Sequence, residues 1–182
     1  MEEFFRKFCD NIRLTDKQEE DAKTKYDWVC ETLHNNYYTD TTYNWTSKFL
    51  FGSYRKKTNI RPISEDQDVD AIFKMPEDKF DKYNNHEWNG QSALLQKIRY
   101  ILQDTYSTTE EIRGRGKVVL VKFSEGTHNV EILPAWEEED GTFTIPNTEN
   151  WWSWEIFDPK SENKTFAAAH IILDHEGRGI TD

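Results

Sequence analysis

The sequence predicts an α+β domain built on a small mixed sheet flanked by helices. Three observations carry that prediction. Apolar residues recur at helical spacing in three segments: Phe4, Phe5, Phe8 and Ile12; Tyr26, Val29, Cys30 and Leu33; and Leu94, Leu95, Ile98, Ile101 and Leu102. Asp68–Lys74 alternates in character from one residue to the next, as a strand does. Val118–Phe123 is β-branched and apolar, and Ser124–Thr127 turns it back into His128–Leu133 as a hairpin.

In chain order, residues 1–13 read as a short amphipathic helix. Thr15 is an N-cap, with Gln18 completing a capping box, and it opens a charged helix that runs to about His34. Asn35 and Asn36 are expected to end that helix. Lys48–Phe51 is a short apolar run that stops at Gly52–Ser53. The basic Tyr54–Lys57 follows as a short helix, and Thr58–Gln67, containing Arg61–Pro62, reads as a loop. Residues 76–90 read as a polar surface turn and Gln91–Tyr106 as a helix. The second hairpin strand is expected to stop at Pro134, because proline cannot donate to a ladder. Residues 137–165 read as loop, with Gly141, Pro146 and Pro159 and a cluster of Trp151, Trp152 and Trp154. Phe166–Leu173 reads as helical. The whole of 1–182 is expected to be one domain, with N-terminal helices over about 1–36, a sheet region over about 48–135 and a loop-rich tail over about 136–182.

A chain of 182 residues can bury one sizeable core, and a second complete domain would be hard to fit. Apolar residues make up 36% and the mean hydropathy is −0.91, so the protein is polar. Seven tryptophans and 14% aromatic residues argue against disorder. The formal charge of −11 argues against strong nonspecific nucleic-acid binding, which needs clustered Lys and Arg. Small nucleotides carried as magnesium complexes remain compatible with it. Cys9 and Cys30 lack metal or redox spacing and read as buried or half-buried thiols. No basic segment followed by a long apolar run opens the chain, and no stretch is apolar enough to span a membrane. The expected setting is the cytoplasm, without a membrane partner.

Three features carry chemistry. Phe51-Gly52-Ser53 ends an apolar strand, where a glycine lets a phosphate approach the backbone and the hydroxyl and turn amides can bind its oxygens. Asp68-Val69-Asp70 lies on a predicted strand, so both carboxylates face one side while Val69, Ala71 and Phe73 face the core. Paired carboxylates repel each other unless a cation sits between them, and a hard divalent ion suits their oxygens. Glu131 interrupts the apolar run Val130-Glu131-Ile132-Leu133 and would add a third acid from a neighbouring strand. Alone, each is weak: a Gly-Ser pair is usually a turn, Asp-x-Asp a solvated edge, and a strand acid a solvent-facing position.

In this order, and with Leu50-Phe51-Gly52-Ser53-Tyr54-Arg55-Lys56-Lys57-Thr58-Asn59-Ile60 before Asp68-Val69-Asp70, the three together resemble the DNA polymerase beta-like nucleotidyltransferases. More narrowly, the chain resembles the cGAS/DncV-like (CD-NTase, SMODS-type) enzymes of bacterial CBASS anti-phage systems. Glu131-Ile-Leu-Pro-Ala, Asp140-Gly141-Thr-Phe-Thr-Ile-Pro146 and Phe157-Asp158-Pro159-Lys160 extend the likeness, which runs from about residue 10 to 170.

The resemblance implies a cytoplasmic enzyme that joins nucleoside triphosphates into a cyclic di- or oligonucleotide messenger and releases pyrophosphate. Asp68, Asp70 and Glu131 would be catalytic and would hold Mg2+ or Mn2+. Gly52, Ser53, Thr58 and Arg55 would bind substrate. An activating partner or ligand is common in the group. Glu131 stands where the family usually has aspartate. The family's C-terminal helical lobe is expected to be missing from this chain, which stops at Asp182. Two other readings stay open: transfer of a single nucleotide to a protein or tRNA, and a non-catalytic nucleotide-binding or regulatory fragment. Arg113, Arg115 and Lys117, around Gly114 and Gly116, are expected on an exposed turn, with a phosphate or RNA contact as the alternative. His170 and His175 have no metal-binding spacing.

Overall fold

The structure is a computed structural model that describes residues 2–56, 58–60, 67–109, 111–124, 127–149 and 153–161. The helix expected at Phe166–Leu173, the pair Arg61–Pro62, and Lys57, Trp151, Trp152, His170 and His175 lie outside them.

Two helices open the chain, α1 (Glu2–Ile12) and α2 (Asp16–Tyr37). The capping box forms: Gln18 N–H donates to Thr15 Oγ1 at 3.3 Å, and Thr15 N–H donates to Gln18 Oε1 at 2.9 Å. α2 runs through Asn35 and Asn36, because the burial of Leu33 and His34 and the contacts of Tyr37 hold its last turn. α1 buries none of its residues, and Phe4 and Phe5 are 79% and 65% exposed.

The sheet order is β1-β2-β5-β4-β3, with β6 and β7 continuing from the far end of β5. The strands are β1 (Lys48–Leu50), β2 (Asp68–Lys74), β3 (Glu111–Arg115), β4 (Val118–Lys122), β5 (Asn129–Glu137), β6 (Phe143–Pro146) and β7 (Trp154–Phe157). β2 and β5 pair in parallel at the centre, and the other pairs are antiparallel. The sheet is therefore mixed, as expected. Between β1 and β2 lies the short helix α3 (Gly52–Lys56). Between β2 and β3 lie a 3-10 turn at Glu77–Lys79 and the helices α4 (Phe80–Asn84) and α5 (Gly90–Thr105).

Strand alternation divides the sheet into two faces. Val69, Ala71, Phe73, Val130, Ile132, Val119 and Val121 are all fully buried on one face, packed with Leu33 and Val29 of α2 and Leu94, Ile98 and Leu102 of α5. The other face has a smaller apolar cluster, Ile72, Leu133, Ala135, Phe143 and Ile145, and leaves the acids beyond it.

Four expectations are corrected. Residues 76–90 are not a plain turn but hold short helices, anchored by buried Tyr83. Glu111–Arg115 is a strand rather than a turn, with Ile112 buried and the arginines on the opposite side. β5 passes through Pro134 to Glu137. Pro134 is tolerated because β4 pairs only with Val130–Ile132 and β6 starts pairing at Trp136, so no neighbour on that side needs its missing N–H. The tail region holds the β6–β7 hairpin, where Trp154 packs edge-on against Trp136 at 5.4 Å and near Phe80 at 5.5 Å. Cross-strand aromatic packing there outweighs the glycine and proline signals that suggested loop.

Candidate active site

The parallel register of β2 and β5 builds the site. Asp70 lies directly opposite Glu131, and Asp68 opposite Asn129. Partners in register project to the same face, so Asp68, Asp70 and Glu131 share the face away from α2 and α5. The row continues through Leu120 of β4 to Arg113 of β3. The sequence had placed Arg113 on an exposed turn; the alternation of Ile112, Arg113 and Gly114 was the signal for a strand.

The acids feel one another. Burial, then the charges of Asp68 and Asp70, push the Glu131 carboxyl up to about 7, and the Arg113 guanidinium partly opposes them. Among the described residues, no three carboxylates, imidazoles or thiolates are gathered into a ready-made metal cage. The three acids share a face rather than a coordination sphere. The donor set nevertheless fits a hard divalent ion: it is all oxygen, and its members repel one another without a cation.

Gly52 begins α3, one residue beyond the end of β1. Its φ of +67° suits glycine, and a Cβ there would lie 2.0 Å from Asp70 Oδ2. The glycine thus makes room for an acid. The backbone ties the two together, since Phe51 N–H donates to the Asp70 carbonyl at 3.1 Å. A cavity of about 280 Å³ opens beside them, lined by Ser53, Thr58, Asn59, Ile60, Gln67, Asp68 and Asp70.

The other expected substrate contacts divide. Ser53 is exposed at the cavity. Thr58 also lines it, but its hydroxyl and its N–H both donate to the Ser53 carbonyl, at 3.3 and 3.1 Å, which braces the turn. Arg55 stacks on Phe49 at 4.3 Å and donates to the Leu50 carbonyl at 3.2 Å, so its guanidinium is engaged by the strand before it. The sequence reading missed Asn59 and Gln67, whose polarity in a loop carries no signal until the fold brings them beside Asp68.

Glu131 borders a second cavity of about 310 Å³, together with Arg113, Arg115, Gly116, Val118, Leu120 and Glu149. The acid row therefore has one cavity at its Asp68–Asp70 end and another at its Glu131 end.

A sequence profile of the Second Messenger Oligonucleotide or Dinucleotide Synthetase domain (SMODS) matches residues 1–169. This chain belongs to the SMODS family. No curated protein sequence matches it. Its fold is that of solved CD-NTases. Vibrio cholerae DncV cyclic AMP-GMP synthase, in complex with the linear intermediate 5′ pppA(3′,5′)pG, is similar with a TM-score of 0.64 at 12% identity, over 91% of this chain and 59% of that one. E. coli CdnC, in complex with HORMA-deltaN, gives 0.58 at 15% identity, over 91% and 49%. Elizabethkingia meningoseptica CdnE cyclic dinucleotide synthase, with GTP and Apcpp, gives 0.51 at 16% identity, over 87% and 62%. The SMODS chain thus spans about half to three-fifths of these structures. Among its described residues, no helix is long and apolar enough to cross a membrane.

Proposed function

We propose that this SMODS domain is the catalytic core of a metal-dependent nucleotidyltransferase that makes a cyclic di- or oligonucleotide for anti-phage signalling in the cytoplasm. The observation that carries this reading is the register of Asp70 against Glu131, with Asp68 on the same face and the Gly52–Ser53 turn against Asp70. Asp68, Asp70 and Glu131 would hold Mg2+ or Mn2+. When bound, the ion supplies positive charge to the triphosphate and to the departing pyrophosphate.

The chain's own residues do the rest. The Gly52–Ser53 turn offers backbone amides and a hydroxyl to the donor phosphates, and Thr58 holds that turn in place. Glu131 accepts the proton of the acceptor hydroxyl. The acceptor oxygen then bonds to the donor α-phosphorus, and the bond from that phosphorus to the bridging oxygen breaks to release pyrophosphate. A second transfer of the same kind closes the ring. The substrates are nucleoside triphosphates, and an activating partner or ligand belongs to this reading, as CdnC is seen with a HORMA protein.

The test incubates the purified chain with all four labelled nucleoside triphosphates and Mg2+ or Mn2+, then phosphatase, with the Asp68→Ala/Asp70→Ala double variant as control. A phosphatase-resistant small product, absent in the control, is expected. Label on a protein or tRNA instead would indicate single-nucleotide transfer. Binding without turnover would indicate a regulatory nucleotide-binding module.

A further inference from the structure

The face that carries the acid row also carries two arginines with no assigned role. Arg113 and Arg115 are two residues apart on β3, so both project to that face. Arg113 stands in one cross-strand row with Leu120 and Glu131, and Arg115 pairs with Val118 at the start of β4. Both arginines are exposed, and both line the cavity of about 310 Å³ that reaches Glu131. Glu111 accepts from Arg113 Nη1 at 3.2 Å, which uses one of the several donors a guanidinium offers. Between the arginines and Glu131, Val118 and Leu120 supply an apolar wall.

That arrangement describes a ligand. Guanidinium groups suit phosphate oxygens, which they bind in pairs, and the apolar wall suits a sugar or base. The donor phosphates already have a place at the opposite end of the acid row, beside the Gly52–Ser53 turn. The acceptor is the substrate that must bring a hydroxyl to Glu131. From β5 to β3 is two strand spacings, about 10 Å. This is comparable to the span from a ribose hydroxyl to the outer phosphates of its own 5′-triphosphate. An acceptor lying across β4 can therefore meet Glu131 with its hydroxyl and the arginines with its phosphates. Glu149 stands on the rim, its carboxylate oxygen 3.5 Å from where a Cβ on Gly116 would lie, and sets a like charge against those phosphates.

We propose that, given the nucleotidyl-transfer reading above, Arg113 and Arg115 bind the 5′-triphosphate of the acceptor nucleotide. The two substrates then approach the acid row from opposite ends. A 5′-triphosphate becomes part of what qualifies a molecule as acceptor, which a hydroxyl on a protein side chain does not supply.

The test is a calorimetric titration of the full chain in EDTA with ATP and with GTP, each beside its monophosphate, followed by turnover with Mg2+ and the four nucleoside triphosphates. In EDTA, Arg113→Gln and Arg115→Gln are each expected to weaken triphosphate binding about tenfold and to narrow the preference for triphosphate over monophosphate. Glu149→Gln is expected to tighten triphosphate binding, and Arg115→Lys to keep part of it, because the charge remains without the fork. In turnover, the arginine variants should raise KM and leave kcat near the wild-type value, with the melting temperature unchanged because both side chains are exposed. Arginine variants that bind triphosphate as the wild type does, or a wild-type chain that binds none in EDTA, would overturn the proposal. Weaker binding of a fluorescein-labelled single-stranded RNA, with KM for the triphosphates level, would overturn it in favour of an RNA contact. If the wild-type chain binds triphosphate through the arginines but forms no product with Mg2+, the triphosphate site stands and the nucleotidyl-transfer reading falls.

Discussion

The two faces of the central sheet are made from the same strands, often from adjacent residues, yet they obey different rules. On the helix-covered face, Val69, Ala71 and Phe73 of β2 and Val130 and Ile132 of β5 are fully buried among apolar neighbours. On the opposite face, Asp68, Asp70 and Glu131 crowd like charges into a partly buried row. The first face is organised for stability and the second works against it. Period-two alternation allows one strand to do both, because each residue answers only to its own side.

The largest separation of the two faces is expected from Asp70→Asn. Activity should fall on the order of a thousandfold, about 4 kcal/mol of transition-state stabilisation, while the melting temperature stays level or rises. A large drop in melting temperature would mean that the acid row supports the fold, and the contrast between faces would fail.

Phe73→Ala tests the other side. Removing a fully buried aromatic should destabilise the chain by about 3–5 kcal/mol in chemical denaturation, with little change in activity per folded molecule measured at low temperature.

Gly52→Ala sits where the acid-bearing face meets the Gly52–Ser53 turn. Its added methyl would clash with Asp70, and the positive φ would be strained. A stability loss of about 1–2 kcal/mol from backbone strain is expected, together with a larger loss of activity than strain alone explains. Activity that follows stability in proportion would argue that the Gly52–Asp70 contact is only structural.

The smallest effect is a pH slope. The folded chain holds the Glu131 proton up to about 7, whereas the unfolded chain releases it near the ordinary 4.5. Between those values the folded state binds more protons, so metal-free stability should fall as pH rises and level off above about 7. Melting in EDTA across that window should show the slope in the wild type and a flatter one in Glu131→Gln. Divalent metal should recover the lost stability above pH 7.

Much of the fold was legible because its signals were local. The capping box at Thr15 and Gln18, the alternation of Asp68–Lys74 and the helical spacing from Leu94 to Leu102 each depend on residues within a few positions of one another. The strands misread as loop were short, and their burial partners lay far along the chain: Ile112 against the core formed with α5, and Trp154 against Trp136 and Phe80.

By itself, the sequence determined which acids are the candidates for the chemistry and which side of each strand they take, because alternation and residue type are written along the chain. Only the tertiary structure decided that β2 and β5 pair in parallel with Asp70 opposite Glu131, that Gly52 clears space for Asp70, and that Asn59 and Gln67 stand beside Asp68. Those relations join segments separated by tens of residues. Strand register and the packing of a core that spans the chain fix them, and neither is a local property.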